Sequence, residues 1–175
     1  MNEHDLEELA MAWFNELGYE TAFGPDIGPG GSAQERAEPQ DVILWSRFDA
    51  ALARINPHAP ASVLQDAKRT FRQRMSEETK LIRINRAFQK MLTEGIRIEH
   101  RQGGESQTIA VQIIDRYNLE ANDWLAVNQV EIIFDRNHRI PDIVVFVNGL
   151  PLSVLELKTF AREQVHLQNA YKQLQ

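Results

Sequence analysis

The stretch Arg139-Ile-Pro-Asp-Ile-Val-Val-Phe-Val-Asn-Gly-Leu-Pro-Leu-Ser-Val-Leu-Glu-Leu-Lys158 decides the fold of this 175-residue chain. Two apolar runs, Asp142 to Val147 and Leu152 to Lys158, are separated by Asn148-Gly149, a dipeptide suited to a tight turn between antiparallel strands. An acid stands at the mouth of the first run, and an acid and a lysine lie inside the second. Glu156 and Lys158 are two apart, so on a strand both project from one face while Leu155 and Leu157 project from the other. Charged groups this close to apolar neighbours are paired with one another or bind a metal.

The register of the two strands decides whether Asp142 and Glu156 can cooperate. If Val147 and Leu150 pair across a two-residue turn, residues whose numbers sum to 297 face one another, and Asp142 opposes Leu155. The two acids then point to opposite faces. A shared cation requires an even sum, which predicts an odd-length loop or a bulge between the strands.

Outward from this segment, apolar residues Leu6, Leu9, Ala10, Trp13, Phe14 and Leu17 recur at helical spacing and stop at Gly18. Gly24 to Gln40 holds four of the nine glycines and three of the seven prolines, which predicts a long irregular surface loop. Three further helices are expected, from Asp41 to Pro57, from an N-cap at Ser62 to Met75, and from about Glu77 to Gly95. The period then changes to two: Ile96 and Ile98 alternate, Gly103-Gly104 turns the chain, and Ile109, Val111 and Ile113 alternate on the return. Ala126 to Phe134 is a further Val- and Ile-rich run, and from about Arg162 the pattern is helical again. The expected architecture is α/β: a mixed β-sheet carrying the Asp142 and Glu156 strands, flanked by helices, with a helical N-terminal insertion between the first helix and the sheet. Residues 1–175 are read as a single domain, large enough to bury a core. Gln175 falls in mid-helix without a cap or a proline, as in a fragment of a longer chain.

Composition narrows the chemistry. The chain has no cysteine, so disulfides and thiolate metal sites are excluded and any metal must be held by oxygen or imidazole. The histidines are scattered, which speaks against zinc. No run approaches the roughly 18 apolar residues of a membrane helix, and Asn2, Glu3, His4 and Asp5 are unlike a signal peptide. A cytoplasmic location without membrane attachment is expected. The net charge of −6 is unlike that of a self-sufficient DNA-binding domain, so a nucleic-acid substrate would have to be held by a local basic patch or a larger assembly.

Hydrolysis of a phosphodiester needs a hard cation to polarise the phosphate and acidify water, and a cationic side chain to orient that water or offset developing charge. Asp142 and Glu156 are suited to ligate Mg²⁺ together with the backbone carbonyl of Leu157, and Lys158 to stand beside the nucleophilic water. The same residues are compatible with a plain Glu156–Lys158 ion pair beside an ordinary hairpin. Arg136, His138 and Arg139 precede Asp142 and are suited to touch DNA. Lys80, Arg83, Arg86 and Lys90 line one helix face, as a phosphate-contacting ridge or as a solvated surface.

The stretch resembles the PD-(D/E)xK nuclease motif as it occurs in the R subunits of type I restriction enzymes. Phe23-Gly-Pro-Asp26, Asn85-Arg-Ala-Phe88, Asn122-Asp-Trp124 and Val127-Asn-Gln129 are similar to phrases of the same family, so the resemblance covers nearly the whole chain. It implies a restriction-endonuclease-like core and Mg²⁺-dependent cleavage of duplex DNA without sequence preference of its own, with Asp142, Glu156 and Lys158 as the catalytic set. It also implies partner subunits for specificity and methylation. ATP would belong to absent translocating domains, since no Walker-type loop is present. A first-helix glutamate often completes the metal site in this fold. At about 100° per residue, Glu7 lies at the margin of the apolar stripe and Glu8 nearly opposite it, so Glu7 is the expected position. The family's Gln-x-x-x-Tyr element places Gln173 at its glutamine, with the tyrosine beyond Gln175. Two other readings of the chain are a docking or regulatory module with a vestigial motif and a stand-alone repair or junction nuclease of the same fold.

Overall fold

The computed structural model of the chain describes residues 2–77, 80–134 and 136–158. In chain order the elements are α1 (Glu3–Glu16), β1 (Glu20–Phe23), α2 (Gly24–Ile27), α3 (Trp45–Ile55), α4 (Ala61–Glu77), α5 (Leu81–Glu94), β2 (Ile96–Gln102), β3 (Glu105–Val111), a 3-10 turn (Leu119–Ala121), β4 (Trp124–Asn128), β5 (Ile132–Phe134), β6 (Asn137–Arg139), β7 (Ile143–Val147) and β8 (Leu150–Leu155). They fall into two compact units, one made of residues 1–44 with 124–175 and the other of residues 45–123. Among the described residues, no helix is long and apolar enough to cross a membrane.

The first unit is a mixed four-stranded sheet in the order β1-β4-β7-β8 with α1 against it. Helix α1 begins at a reciprocal cap: the Asn2 side chain accepts the Asp5 N–H at 2.8 Å, and the Asp5 carboxylate accepts the Asn2 N–H at 2.9 Å. It ends where Gly18 turns to φ 89°. The chain returns as β1, parallel to β4, an element too short to register in the sequence pattern. Strand β7 lies antiparallel between β4 and β8 and is buried throughout, which is why its sequence is a continuous apolar run.

Alternation along the strands divides the core. Ala126, Ile143 and Val145 face α1, where Ala10, Met11, Phe14, Tyr19, Leu155 and Leu157 pack with them. Leu125, Val127, Val144 and Phe146 face the other way, against Ile27, Leu44 and Val130.

Of the two devices expected in the β7–β8 connection, the bulge is present and the odd-length loop is not. Val147 pairs with Leu150 across Asn148-Gly149, whose φ values of 53° and 75° are those of a type I′ turn. Phe146 pairs with Pro151, but Val145 then pairs with Ser153, leaving Leu152 as the extra residue of a β-bulge. From there Val144 faces Val154 and Ile143 faces Leu155, an even sum of 298.

Five expectations change on contact with the structure, the first being the N-cap at Ser62, since α4 begins at Ala61 and the Leu64 N–H donates to Pro60 O at 3.1 Å. Glu156 and Lys158 lie just past the end of β8 at Leu155, not inside the strand. The second half is not one sheet, because β2–β3 and β5–β6 form separate two-stranded ribbons. The Gly24 to Gln40 segment contains the short helix α2 and is organised round Arg36, only 2% exposed, whose guanidinium donates to Asp41 O and Pro39 O at 2.6 Å each. Helix α3 starts at Trp45 and not at Asp41, since the Leu44 N–H is taken by Gly149 O at 2.9 Å. The helical pattern expected after Arg162 lies outside the described residues.

The second unit, residues 45–123, holds three helices together with the β2–β3 ribbon. Helices α3, α4 and α5 pack Phe48, Ala51, Leu52, Val63, Ala67, Phe71 and Met91 into a core, with Trp45, Phe48, Phe71 and Phe88 meeting mostly edge to face. Asn56 ties α3 to the strand exit by donating to Gln112 O and accepting from Gln112 N, both at 2.8 Å.

Candidate active site

Asp142 stands one residue before β7 and Glu156 one residue after β8. Continuing the register of Ile143 with Leu155 by one step sets Asp142 opposite Glu156. Parity places both carboxylates on the face of Val144 and Phe146, since Ile143 and Leu155 turn toward α1. Leu157 packs on the α1 side, and Lys158 is close enough to Glu156 for its charge to act on that carboxyl. All of Asp142, Glu156, Leu157 and Lys158 are partly buried.

The Asp142 carboxylate is anchored across the strands: its Oδ2 accepts the Leu157 N–H at 2.6 Å. A charge-assisted bond to a backbone donor holds the side chain in one orientation. The Glu156 carboxyl is pushed above the usual carboxylate range by burial and by the charge of Asp142, and Lys158 partly offsets this. Two like charges and one cationic side chain thus share a half-buried site.

Among the described residues, no three Asp, Glu or His side chains converge on one point. The donor set offered here is two carboxylates with neighbouring backbone oxygen, all hard ligands. It fits Mg²⁺, which is usually held by one or two carboxylates and keeps several waters. A divalent cation would offset the burial and the neighbouring Asp142 charge that raise Glu156.

Glu7 is buried, 7% exposed, but the structure does not bring it into a cluster with Asp142 and Glu156. Its Oε1 accepts from Asn128 Nδ2 and its Oε2 from Gln129 Nε2, each at 2.7 Å. Glu8 is exposed, as the helical geometry requires. Gln129 has a left-handed φ of 56°, a conformation that costs a non-glycine residue about 1–3 kcal/mol, and its N–H donates to Asp142 O at 3.1 Å. Asn128 and Gln129 have no assigned role in the sequence reading. Their only signal there is the phrase Val127-Asn-Gln129.

Arg136, His138 and Arg139 are exposed on the β5–β6 ribbon, three residues or more ahead of Asp142. His138 Nε2 meets Glu131 Oε1 at 2.8 Å, and Arg139 donates to His138 O at 3.4 Å. Lys80, Arg83, Arg86 and Lys90 are exposed in the second unit, where Lys90 lies 4.0 Å from Glu94. Gln173 lies outside the described residues.

The chain as a whole is similar to known proteins. The family described as type I restriction enzyme R protein N terminus matches residues 1–175. The type I restriction enzyme HindI endonuclease subunit of Haemophilus influenzae is 34% identical over 176 residues, covering 100% of this chain and 16% of that protein. A putative type I restriction enzyme MjaIXP endonuclease subunit of Methanocaldococcus jannaschii is 29% identical over 160 residues, covering 90% of this chain and 15% of that protein. The chain therefore spans about a sixth of the length of these curated relatives, and it belongs to the family of type I restriction enzyme R protein N-terminal regions.

Proposed function

We propose that this chain is the DNA-cutting part of a type I restriction enzyme R subunit, hydrolysing phosphodiester bonds of duplex DNA with Mg²⁺ and without sequence preference of its own. The observation that supports it most is the bulge at Leu152, which brings Ile143 opposite Leu155 so that one further step of the same register sets Asp142 against Glu156, despite a two-residue turn that by itself would separate them.

Asp142, Glu156 and the Leu157 carbonyl would hold the cation. When bound, Mg²⁺ supplies Lewis acidity, polarising the phosphate and acidifying water. The chain's own groups do the rest. The Leu157 N–H keeps Asp142 in place, the Lys158 ammonium orients the attacking water or meets charge building on the phosphate, and Leu155 and Leu157 close the α1 side of the site with apolar surface. Arg136, His138 and Arg139 are the nearest basic residues in sequence to contact the DNA backbone. With a net charge of −6, the chain depends on the larger assembly to hold DNA: specificity and methyltransferase subunits choose the target, and ATP serves motor domains elsewhere in the subunit.

The test is nicking of plasmid DNA by the full-length subunit assembled with its partners. Mg²⁺-dependent cutting that disappears in Asp142→Ala supports the reading; cutting that persists in it refutes the site.

A further inference from the structure

We propose that Glu7 is a positioning residue, which braces Asp142 from behind through the side chains of Asn128 and Gln129 and does not ligate the cation. The inference rests on the reading of Asp142 and Glu156 as the cation site. Of the charged residues on α1, only Glu7 is buried. A buried carboxylate is costly unless its oxygens are satisfied, and here each oxygen takes one amide hydrogen bond of 2.7 Å. Both amides present their NH₂ groups to the carboxylate as donors.

The sheet separates Glu7 from the acids. Asn128 follows Ala126 by two residues, so its side chain turns toward α1, whereas Asp142 and Glu156 turn to the face of Val144 and Phe146. The connection between them runs through the backbone of Gln129. The regular β4–β7 ladder ends at Asn128 with Ile143. Beyond it, the Gln129 N–H to Asp142 O bond holds Asp142 on its β4 side, as the Leu157 N–H holds its carboxylate on the β8 side.

Gln129 is in turn fixed at three points. Its side chain is held by Glu7, its N–H engages Asp142, and its carbonyl lies so close to Gly24 that a Cβ there would come within 2.2 Å of it. Such a left-handed residue persists only where its surroundings over-determine it. Releasing the Glu7 contact frees Gln129 to relax and lets the Asp142 backbone drift from Glu156.

The test uses the full-length subunit with its partners and reads Mn²⁺ binding by electron paramagnetic resonance without nucleotide, beside the Mg²⁺ dependence of cutting. Asp142→Ala defines the signal of this site. If it changes neither Mn²⁺ binding nor cutting, the site reading itself fails, and the inference with it. With the site established, Glu7→Gln and Gln129→Leu are each expected to weaken Mn²⁺ binding by about 10- to 100-fold, with a matching rise in the Mg²⁺ needed for cutting and unchanged ATP hydrolysis. The double variant is expected to be no worse than either single one. Glu7→Gln combined with Gln129→Glu is expected to recover binding, since the new amide at position 7 donates to the new carboxylate at 129 and accepts from Asn128. Glu7→Gln losing affinity while Gln129→Leu keeps it, losses that multiply in the double variant, or no loss in Glu7→Gln would each overturn the bracing role.

Discussion

Asp142 and Leu157 are joined by a 2.6 Å hydrogen bond from the Leu157 N–H to Asp142 Oδ2. Leu157 stands between Glu156 and Lys158, so one backbone donor fixes the first acid of the site relative to the second acid and the lysine. The bond occupies one oxygen and leaves Oδ1 for a cation. A backbone donor also cannot be removed by side-chain mutation, so the anchor is expected to survive substitution of any neighbouring side chain that leaves the register intact.

In the assembled enzyme, Glu156→Ala and Lys158→Ala are expected to lower cleavage by at least about 10²–10³-fold, the usual loss when a group stabilising transition-state charge is removed. On the proposed reading, in which these residues serve phosphodiester chemistry alone, ATP hydrolysis and DNA translocation should continue. Plasmid cleavage and ATPase assays on the same preparations check this. Cutting retained in both variants would remove the basis of the catalytic assignment.

The bulge makes a counterintuitive expectation about deletions. Leu152 is the extra residue, and Ser153 already faces Val145. Deleting Leu152 leaves an unbroken ladder in which Glu156 still opposes Asp142, so cleavage should be largely retained. Deleting Leu152 and Ser153 together moves every later residue by one, swinging Glu156 toward the α1 face and Leu157 opposite Asp142. Cleavage should be lost and the melting temperature should fall. Equal activity in the two deletion variants would show that register does not control the site.

Much of this arrangement is legible in the sequence, because the Asp142 to Lys158 hairpin carries its own signals: apolar runs, a turn dipeptide, and charges placed at strand ends. Parity alone shows that a bulge or an odd loop is needed, and the Asn148-Gly149 turn leaves the bulge to supply it. What is hidden depends on partners distant in sequence. Strand β1 has four residues, Glu20 to Phe23, and becomes a strand only by pairing with β4. Arg36 organises its loop through carbonyls whose position no periodicity reveals. Helical geometry picks out Glu7 over Glu8, but the amides that take up both of its oxygens lie more than 120 residues away.

The turn itself should be sensitive to a side chain at its second position. Gly149 has φ 75°, where a Cβ clashes with the following carbonyl, so Gly149→Ala is expected to cost about 1–2 kcal/mol in urea denaturation. Asn148 at φ 53° occupies the same region at lower cost, as asparagine commonly does. A Gly149→Ala variant as stable as the parent would exclude the type I′ turn.

The raised pKa of Glu156 gives stability a definite pH dependence. Burial and Asp142 disfavour its charge in the folded chain, while in the unfolded chain it ionises at its ordinary pKa. Between those two values the folded state binds more protons than the unfolded state, so stability rises as pH falls through the folded pKa toward the ordinary one. Above the folded pKa the penalty is fully present. Glu156→Gln removes the charge and is expected to raise the melting temperature at neutral pH without metal, with the advantage shrinking as pH falls through the folded pKa and gone below the ordinary carboxylate range. Lys158→Met removes the group that offsets the shift and should do the reverse, lowering stability at neutral pH. Mg²⁺ is expected to stabilise the parent chain at neutral pH more than Glu156→Gln, since a ligand that binds the folded state more tightly stabilises it more, and to lose that effect as Glu156 protonates. Melting curves of the three chains across pH, with and without Mg²⁺, provide the measurement. A Glu156→Gln chain less stable than the parent at neutral pH without metal would mean that the carboxylate is paired in the fold rather than strained.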